Sequence, residues 1–246
     1  LGTIALPFKQ NSCCRRECPR RSRTPSYVIW CDGQCRSART CFLCLENSEF
    51  HGEPPRIAIL AKVPTRGKSK TRLIPAFGED GTLEVATGML GDLLTRLGKA
   101  ESLKDVRLAV LFSPPEGEAQ LKGLLEQFGV ATRWECIPNT GNDDLLSADL
   151  GAQLANGLDK MRNSNGGVRA TAILGMDTPN MPVDEICTAL ETMNKPGPNS
   201  IKPAYFSPSE DGGVTLIGVP EDAPTAVFSG VRWSTTDNCI SLMGTF

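Results

Sequence analysis

The sequence predicts an α/β domain of three layers, with a mainly parallel sheet between helices, and three observations carry that prediction. From residue 56 onward, apolar runs alternate with amphipathic stretches, the order expected of strands and the helices that cover them. A strongly cationic, glycine-hinged loop follows directly on the first apolar run, Ile57-Ala58-Ile59-Leu60. An acidic turn, Asp177-Thr178-Pro179, ends a later apolar run more than a hundred residues on. Ligands of such sheets collect beyond the carboxyl ends of the strands, so the two turns are expected to share one cleft.

Taken in order, strands are expected at 56–61, 106–112, 131–137, 170–175, 203–206 and 213–218, each a short apolar run bounded by turn residues. Helices are expected at 82–98, 117–128, 145–162 and 183–193, where apolar positions recur at helical spacing. The last two strands are joined by Ser209-Glu210-Asp211-Gly212-Gly213, an acidic turn whose glycines let backbone approach a ligand closely.

The chain has 246 residues with a formal net charge of −2, enough length for one α/β domain plus an extension and no global field for nucleic acid or a membrane surface. No uninterrupted apolar run approaches the ~18 residues of a membrane span. Partners are therefore expected among small molecules, with oligomeric state left open.

Residues 1–53 differ in composition. They hold Cys13, Cys14, Cys18, Cys31, Cys35, Cys41 and Cys44 and a basic cluster at Arg15, Arg16, Arg20, Arg21 and Arg23, and a boundary is placed at Glu53-Pro54-Pro55. The leader is read as disordered or targeting, with zinc bound by Cys31, Cys35, Cys41 and Cys44, a cleaved organelle-targeting segment, or a segment without evolved structure all open. Localisation is accordingly cytoplasmic, or organellar if the leader is a transit peptide. Cys136, Cys187 and Cys239 are scattered in the remainder and read as small buried hydrophobes rather than disulfide partners. The one histidine, His51, lies in the leader, which removes Ser-His-Asp and histidine-metal mechanisms from residues 54–246.

The cationic loop reads Ala61-Lys62-Val63-Pro64-Thr65-Arg66-Gly67-Lys68-Ser69-Lys70-Thr71-Arg72-Leu73. Backbone N–H groups and Lys/Arg side chains converging after a strand suit phosphates. A P-loop is discounted, because Lys62 stands where the first glycine belongs and Pro75 follows Ser69 too soon for a helix running on from it. The plain alternative is a solvated basic turn.

Asp149-Leu150-Gly151 before a helix, Gly175-Met176-Asp177-Thr178-Pro179 after a strand, Glu210-Asp211-Gly212-Gly213 in a hairpin, and Phe228-Ser229-Gly230-Val231-Arg232-Trp233-Ser234-Thr235 extend the pattern. Together with the cationic loop they resemble a glycosyltransferase-like family of the GT-A, or nucleotide-diphospho-sugar transferase, superfamily. That family is associated with radical-SAM clusters and often labelled arsenosugar-biosynthesis glycosyltransferase. Its elements, A-K-x-P-x-x-G-x-x-K-T-R-L, D-L-G, G-x-D-x-P, E-D-G-G-Y-x-L-I-G and F-x-x-x-x-W-S-T, are matched in order over roughly residues 56–240. The departures are Val214 for the tyrosine and Asp144-Leu145-Leu146-Ser147-Ala148 for a Gln-Gly-x-Gly lead-in. The resemblance implies a Rossmann-like GT-A fold, here C-terminally truncated, and kinship with guanylyltransferases of molybdenum-cofactor and phospholactate metabolism.

The chemistry implied is transfer from a nucleotide-activated donor whose diphosphate is neutralised by Mg²⁺ or Mn²⁺. Asp177 is the first candidate ligand. Asp211 is the candidate second ligand or general base, with Glu210 as its competitor. Lys62, Gly67, Lys70, Thr71 and Arg72 form the candidate phosphate-binding set, Arg72 as a planar fork and Lys70 as a mobile point charge. Asp149 is a candidate for base or ribose recognition. Plainer roles stay open for each: Asp177 as an Asx-turn former, Asp211 in a hairpin turn, Asp149 as a helix cap, and Phe228 and Trp233 as core or pocket wall. Glycosyl transfer to a small-molecule acceptor leads. Nucleotidyl transfer releasing pyrophosphate, and nucleotide binding without catalysis, are the alternatives.

Overall fold

The computed structural model describes residues 54–139, 149–163, 170–195, 202–233 and 235–246, together with the backbone of Tyr27–Ile29. The leader cysteines, His51, the Asp144–Ala148 segment and Ser234 lie outside the described residues.

The strands are β1 (Tyr27–Ile29), β2 (Arg56–Lys62), β3 (Arg107–Ser113), β4 (Trp134–Pro138), β5 (Thr171–Gly175), β6 (Ala204–Pro208) and β7 (Val214–Val219). The helices are α1 (Ile74–Gly98), α2 (Glu118–Gln127), α3 (Leu150–Asn163), α4 (Val183–Asn194) and α5 (Asn238–Met243). The sheet runs in the order β1-β6-β7-β5-β2-β3-β4. β5, β2, β3 and β4 are parallel neighbours, and β7, β6 and β1 add antiparallel ladders on the other side.

The central strands are buried on both faces, which explains their unbroken apolar runs. Ile57, Ile59, Val110 and Phe112 enter one core with Leu90, Leu93, Leu94 and Leu97 of α1, Leu121 of α2 and Ile186 and Leu190 of α4. Ala58, Ala109, Leu111 and Ile173, offset by one residue, enter the opposite core with Leu154, Leu158 and Met161 of α3 and Leu242 of α5. Period-two alternation thus feeds two helix layers from one set of strands. Each fully buried leucine contributes about 2 kcal/mol by removal of apolar area from water.

Every expected strand and helix that falls on described residues is present. Three features depart from expectation. α1 begins at Ile74, not at residue 82, because a 3₁₀ turn at Thr71–Leu73 leads into it and Pro75 lies in its first turn, where a missing N–H is not needed. Its backbone is interrupted at Gly78 (φ 69). Second, Tyr27–Ile29, assigned to the leader, pairs antiparallel with β6 as an edge strand. Third, α5 follows the tryptophan segment, where no helix was expected.

Among the described residues no helix is long and apolar enough to cross a membrane. Cys187 and Cys239 are buried and Cys136 is half-buried; burial pushes all three thiols up from their ordinary range.

Chain order and sheet order cross over at β2. The chain leaves β2 for β3 and β4 on one side and, through α3, returns with β5 on the other. The carboxyl ends of β2 and β5 therefore flank the switch point of the sheet, the place where this topology opens a crevice.

Candidate nucleotide-binding site at the carboxyl edge of the sheet

The cationic loop is knotted by its own backbone. The Lys68 and Ser69 N–H groups both donate to the Thr65 carbonyl at 3.0 Å, while Thr65 N–H donates to Ser69 Oγ at 2.8 Å. Ser69 is 4% exposed and its hydroxyl donates to the Val63 carbonyl at 3.3 Å. Gly67 turns the loop at φ 69, in the left-handed region that glycine tolerates. Arg66 is turned away from the cleft edge: it pairs with Glu79 at 2.5 Å and forks onto Asp80 at 2.6 and 3.3 Å, tying the loop to α1. That fork holds the Asp80 carboxyl below and the Arg66 guanidinium above their ordinary values.

Lys70 and Asp177, expected as phosphate contact and metal ligand, meet directly: Lys70 Nζ donates to Asp177 Oδ1. The parallel register explains the encounter. Leu60 faces Gly175 across β2 and β5, and Met176 N–H extends the ladder by donating to the Leu60 carbonyl at 3.1 Å. In the turn that follows, Thr178 rather than Asp177 supplies the turn-forming bonds, its N–H and hydroxyl reaching the Gly175 carbonyl at 3.3 and 2.8 Å. The Asp177 carboxylate is thus not consumed by the turn's own hydrogen bonds and is 64% exposed beside Lys70. Lys62, Lys68 and Arg72 are exposed and carry no ion pair among the described residues, and Thr71 is exposed beside them.

Asp211 and Glu210 sit in the β6–β7 hairpin. Leu174 pairs antiparallel with Leu216, so this hairpin emerges at the same edge of the sheet as Asp177. Asp211 Oδ1 accepts from the Ser209 hydroxyl and from Gly213 N–H at 3.1 Å, and these bonds hold its carboxyl below the ordinary value. Its hairpin-turn role is therefore occupied; Glu210 is exposed. Among the described residues no three His, Cys, Asp or Glu side chains gather into one cluster. Asp177 by itself is an exposed hard-oxygen donor of the kind a divalent cation takes alongside phosphate oxygens and water.

Asp149 does cap α3, its Oδ1 accepting from Gly151 N–H at 2.9 Å. A Cβ at Gly151 would lie 2.5 Å from both the Phe228 carbonyl and Trp233 Nε1, so the D-L-G and F-to-T segments are in contact. Phe228 is 1% exposed and Trp233 half-buried, as expected of core and wall. Gly212 (φ 84) abuts the Thr236 carbonyl and accepts from Cys239 N–H at 3.0 Å, which joins the hairpin to α5.

Sequence reasoning missed the buried tie at Ser69 and the Arg66 clamp. The clamp's only signal was a pair of carboxylates thirteen and fourteen residues downstream. It also missed Asn139, at the carboxyl end of β4, whose side chain joins the Gln153 carbonyl at 3.1 Å and Asn156 at 2.7 Å.

A family model described as uncharacterized proteins conserved in bacteria, DUF2064, matches residues 96–235, more than half of the chain. Among solved structures, a protein of Desulfovibrio desulfuricans G20 provisionally named a nucleotide-diphospho-sugar transferase superposes with TM-score 0.61 at 24% identity, over 78% of this chain and 74% of its own. That likeness shows the fold. A cytidylyltransferase from Leptospira borgpetersenii serovar Hardjo-bovis aligns with TM-score 0.35 at 17% identity, over 57% of this chain and 48% of its own. No curated protein sequence matches the chain.

Proposed function

The chain belongs to the DUF2064 family, and because that name specifies no reaction, we propose a function from the site itself: a GT-A-like transferase acting on a nucleotide-activated donor. One observation carries the proposal. At the switch point, a backbone-knotted loop presents Lys62, Lys68 and Arg72 without ion-pair partners, opposite an exposed carboxylate, Asp177, delivered by a strand more than a hundred residues away.

In this proposal Arg72 and Lys62 hold donor phosphate oxygens, Arg72 through a planar fork, and Gly67 turns the loop that carries Lys68 beside them. Asp177 would hold the divalent cation, with Asp211 of the hairpin at the same sheet edge as candidate second ligand through the carboxylate oxygen its turn does not use. A bound Mg²⁺ or Mn²⁺ supplies charge neutralisation on the diphosphate as it leaves. Asp211 is a poor base because its hydrogen bonds favour the ionised form, so Glu210 is the stronger candidate to accept a proton. In sugar transfer the acceptor oxygen bonds to the anomeric carbon, the carbon–oxygen bond to the diphosphate breaks, the nucleoside diphosphate departs and the acceptor proton passes to the carboxylate. The arsenosugar-type reaction is the narrower form of this proposal and rests on the motif resemblance alone.

The four loop cations other than Arg66 also suit the greater charge of a nucleoside triphosphate. In that second form, a phosphate oxygen of the acceptor attacks the α-phosphorus and pyrophosphate leaves. Calorimetric titration of the full chain with nucleotide-sugars and nucleoside triphosphates, with and without Mn²⁺, tests both forms. Binding of one donor class, weakened about tenfold in Arg72→Gln, supports the proposal, and pyrophosphate release on turnover selects the second form. A folded protein that binds no nucleotide overturns both.

A further inference from the structure

We propose that the Lys70–Asp177 ion pair is a latch on this site: each residue holds the other until phosphate takes the ammonium group and a divalent cation takes the carboxylate. Donor and cation then bind with positive coupling, since either one releases the partner that the other requires. The inference rests on the donor-site assignment above and adds its regulation.

Three features of the geometry support it. Lys70 is the one residue other than glycine with positive φ (51) among the described residues, a backbone state that L side chains adopt only when their surroundings impose it. What imposes it lies on both sides. The Ser69 tie fixes the chain before Lys70, and the 3₁₀ turn, closed by Leu73 N–H on the Lys70 carbonyl at 2.8 Å, fixes the chain after it. Lys70 is thereby singled out from Lys62, Lys68 and Arg72, which stay exposed and unpaired, and is set across the edge of the sheet.

The pair is also asymmetric in exposure. The Lys70 side chain is 21% exposed and that of Asp177 64%, so the ammonium group is enclosed on its carboxylate while the carboxylate remains open to solvent. Neither has another side-chain partner among the described residues. A phosphate entering among Lys62, Lys68 and Arg72 would compete with Asp177 for Lys70, and the displaced carboxylate would be uncompensated until a cation arrived.

The latch predicts a reversal of sign that a simple metal-ligand role does not. With chelator present, Asp177→Asn frees Lys70 and is expected to bind inorganic pyrophosphate, UDP or GDP more tightly than the wild-type chain, roughly 5-fold or more. With Mn²⁺ the order is expected to invert, because the variant lacks the carboxylate. Removing any negative charge near a phosphate also raises affinity, so the cycle is closed with Lys70→Gln and the double variant, all read by calorimetry. If the gain from Asp177→Asn vanishes in the Lys70→Gln background, the latch holds. A gain of equal size in both backgrounds reduces it to general charge removal and overturns it, as does no gain at all. Asp177→Ser, expected to show the same sign, serves if the Asn variant folds poorly. Failure of every probe to bind any of these proteins, shown folded by circular dichroism, would overturn the donor-site assignment and the latch together, a result distinct from binding without coupling.

Discussion

Leu60 and Gly175 are register partners across parallel strands β2 and β5, and beyond them Lys70 of the cationic loop meets Asp177 of the acidic turn. This pairing brings a cationic loop and an acidic turn to one edge of the sheet at the point where chain order and sheet order diverge. The following outcomes are expected from that geometry.

Arg72 and Lys62 are exposed and without ion-pair partners among the described residues, so Arg72→Gln and Lys62→Ala should leave stability within about 0.5 kcal/mol of the parent. Each should weaken nucleotide binding by about tenfold, the scale of a lost charge-assisted hydrogen bond. Urea denaturation beside calorimetry separates the two effects. A shifted denaturation midpoint with unchanged affinity would place these residues in the fold rather than the site.

Ser69 behaves oppositely, because its buried hydroxyl is both acceptor for Thr65 N–H and donor to the Val63 carbonyl. Ser69→Ala strands the Thr65 N–H, while the Val63 carbonyl keeps the Thr65 hydroxyl as donor at 3.0 Å, and should cost about 1–3 kcal/mol. Amide hydrogen exchange should show lost protection at Thr65. Retained protection would mean that the Thr65 turn holds without its side-chain tie.

Gly212 combines φ 84 with close approach to the Thr236 carbonyl. Gly212→Ala should destabilise by about 1–3 kcal/mol from the backbone conformation alone, with displacement of the Thr236 segment added to that. The denaturation midpoint measures it. A neutral substitution would show that the hairpin and α5 are not packed as described.

Asp211 has its carboxyl held below the ordinary value of 3.8 by the Ser209 hydroxyl and Gly213 N–H. A carboxyl depressed in the folded state contributes stability that is fully present above the unfolded value and is lost as pH falls through the folded one. Asp211→Asn should therefore lower stability at neutral pH relative to its effect in acid, and flatten the loss that sets in as pH falls below the ordinary carboxylate value. Thermal midpoints across that window decide the matter, and identical acid limbs for parent and variant would remove the linkage.

Much of this arrangement was legible from local pattern. The unbroken run Ile57–Leu60 announced a strand covered on both faces, and Gly212-Gly213 between two short apolar runs announced a hairpin. Candidate residues at Lys70 and Asp177 followed from the turns they occupy. Their mutual contact did not, since nothing within either turn encodes a partner 107 residues distant. α1 starts before the expected residue 82 because a proline is compatible with the first turn of a helix and Pro75 sits there. Arg66 resembled the other loop cations until Glu79 and Asp80 were placed opposite it.

The sequence by itself determined the alternation of strands and helices, the two buried faces and the loops that carry charge, because side-chain period and turn chemistry act over a few residues. Only the tertiary structure decided which loop cations are left without ion pairs, which one is held by Asp177 and which carboxylate accepts bonds within its own turn. Those outcomes depend on strand order and register, and register is settled by packing between segments far apart in the chain.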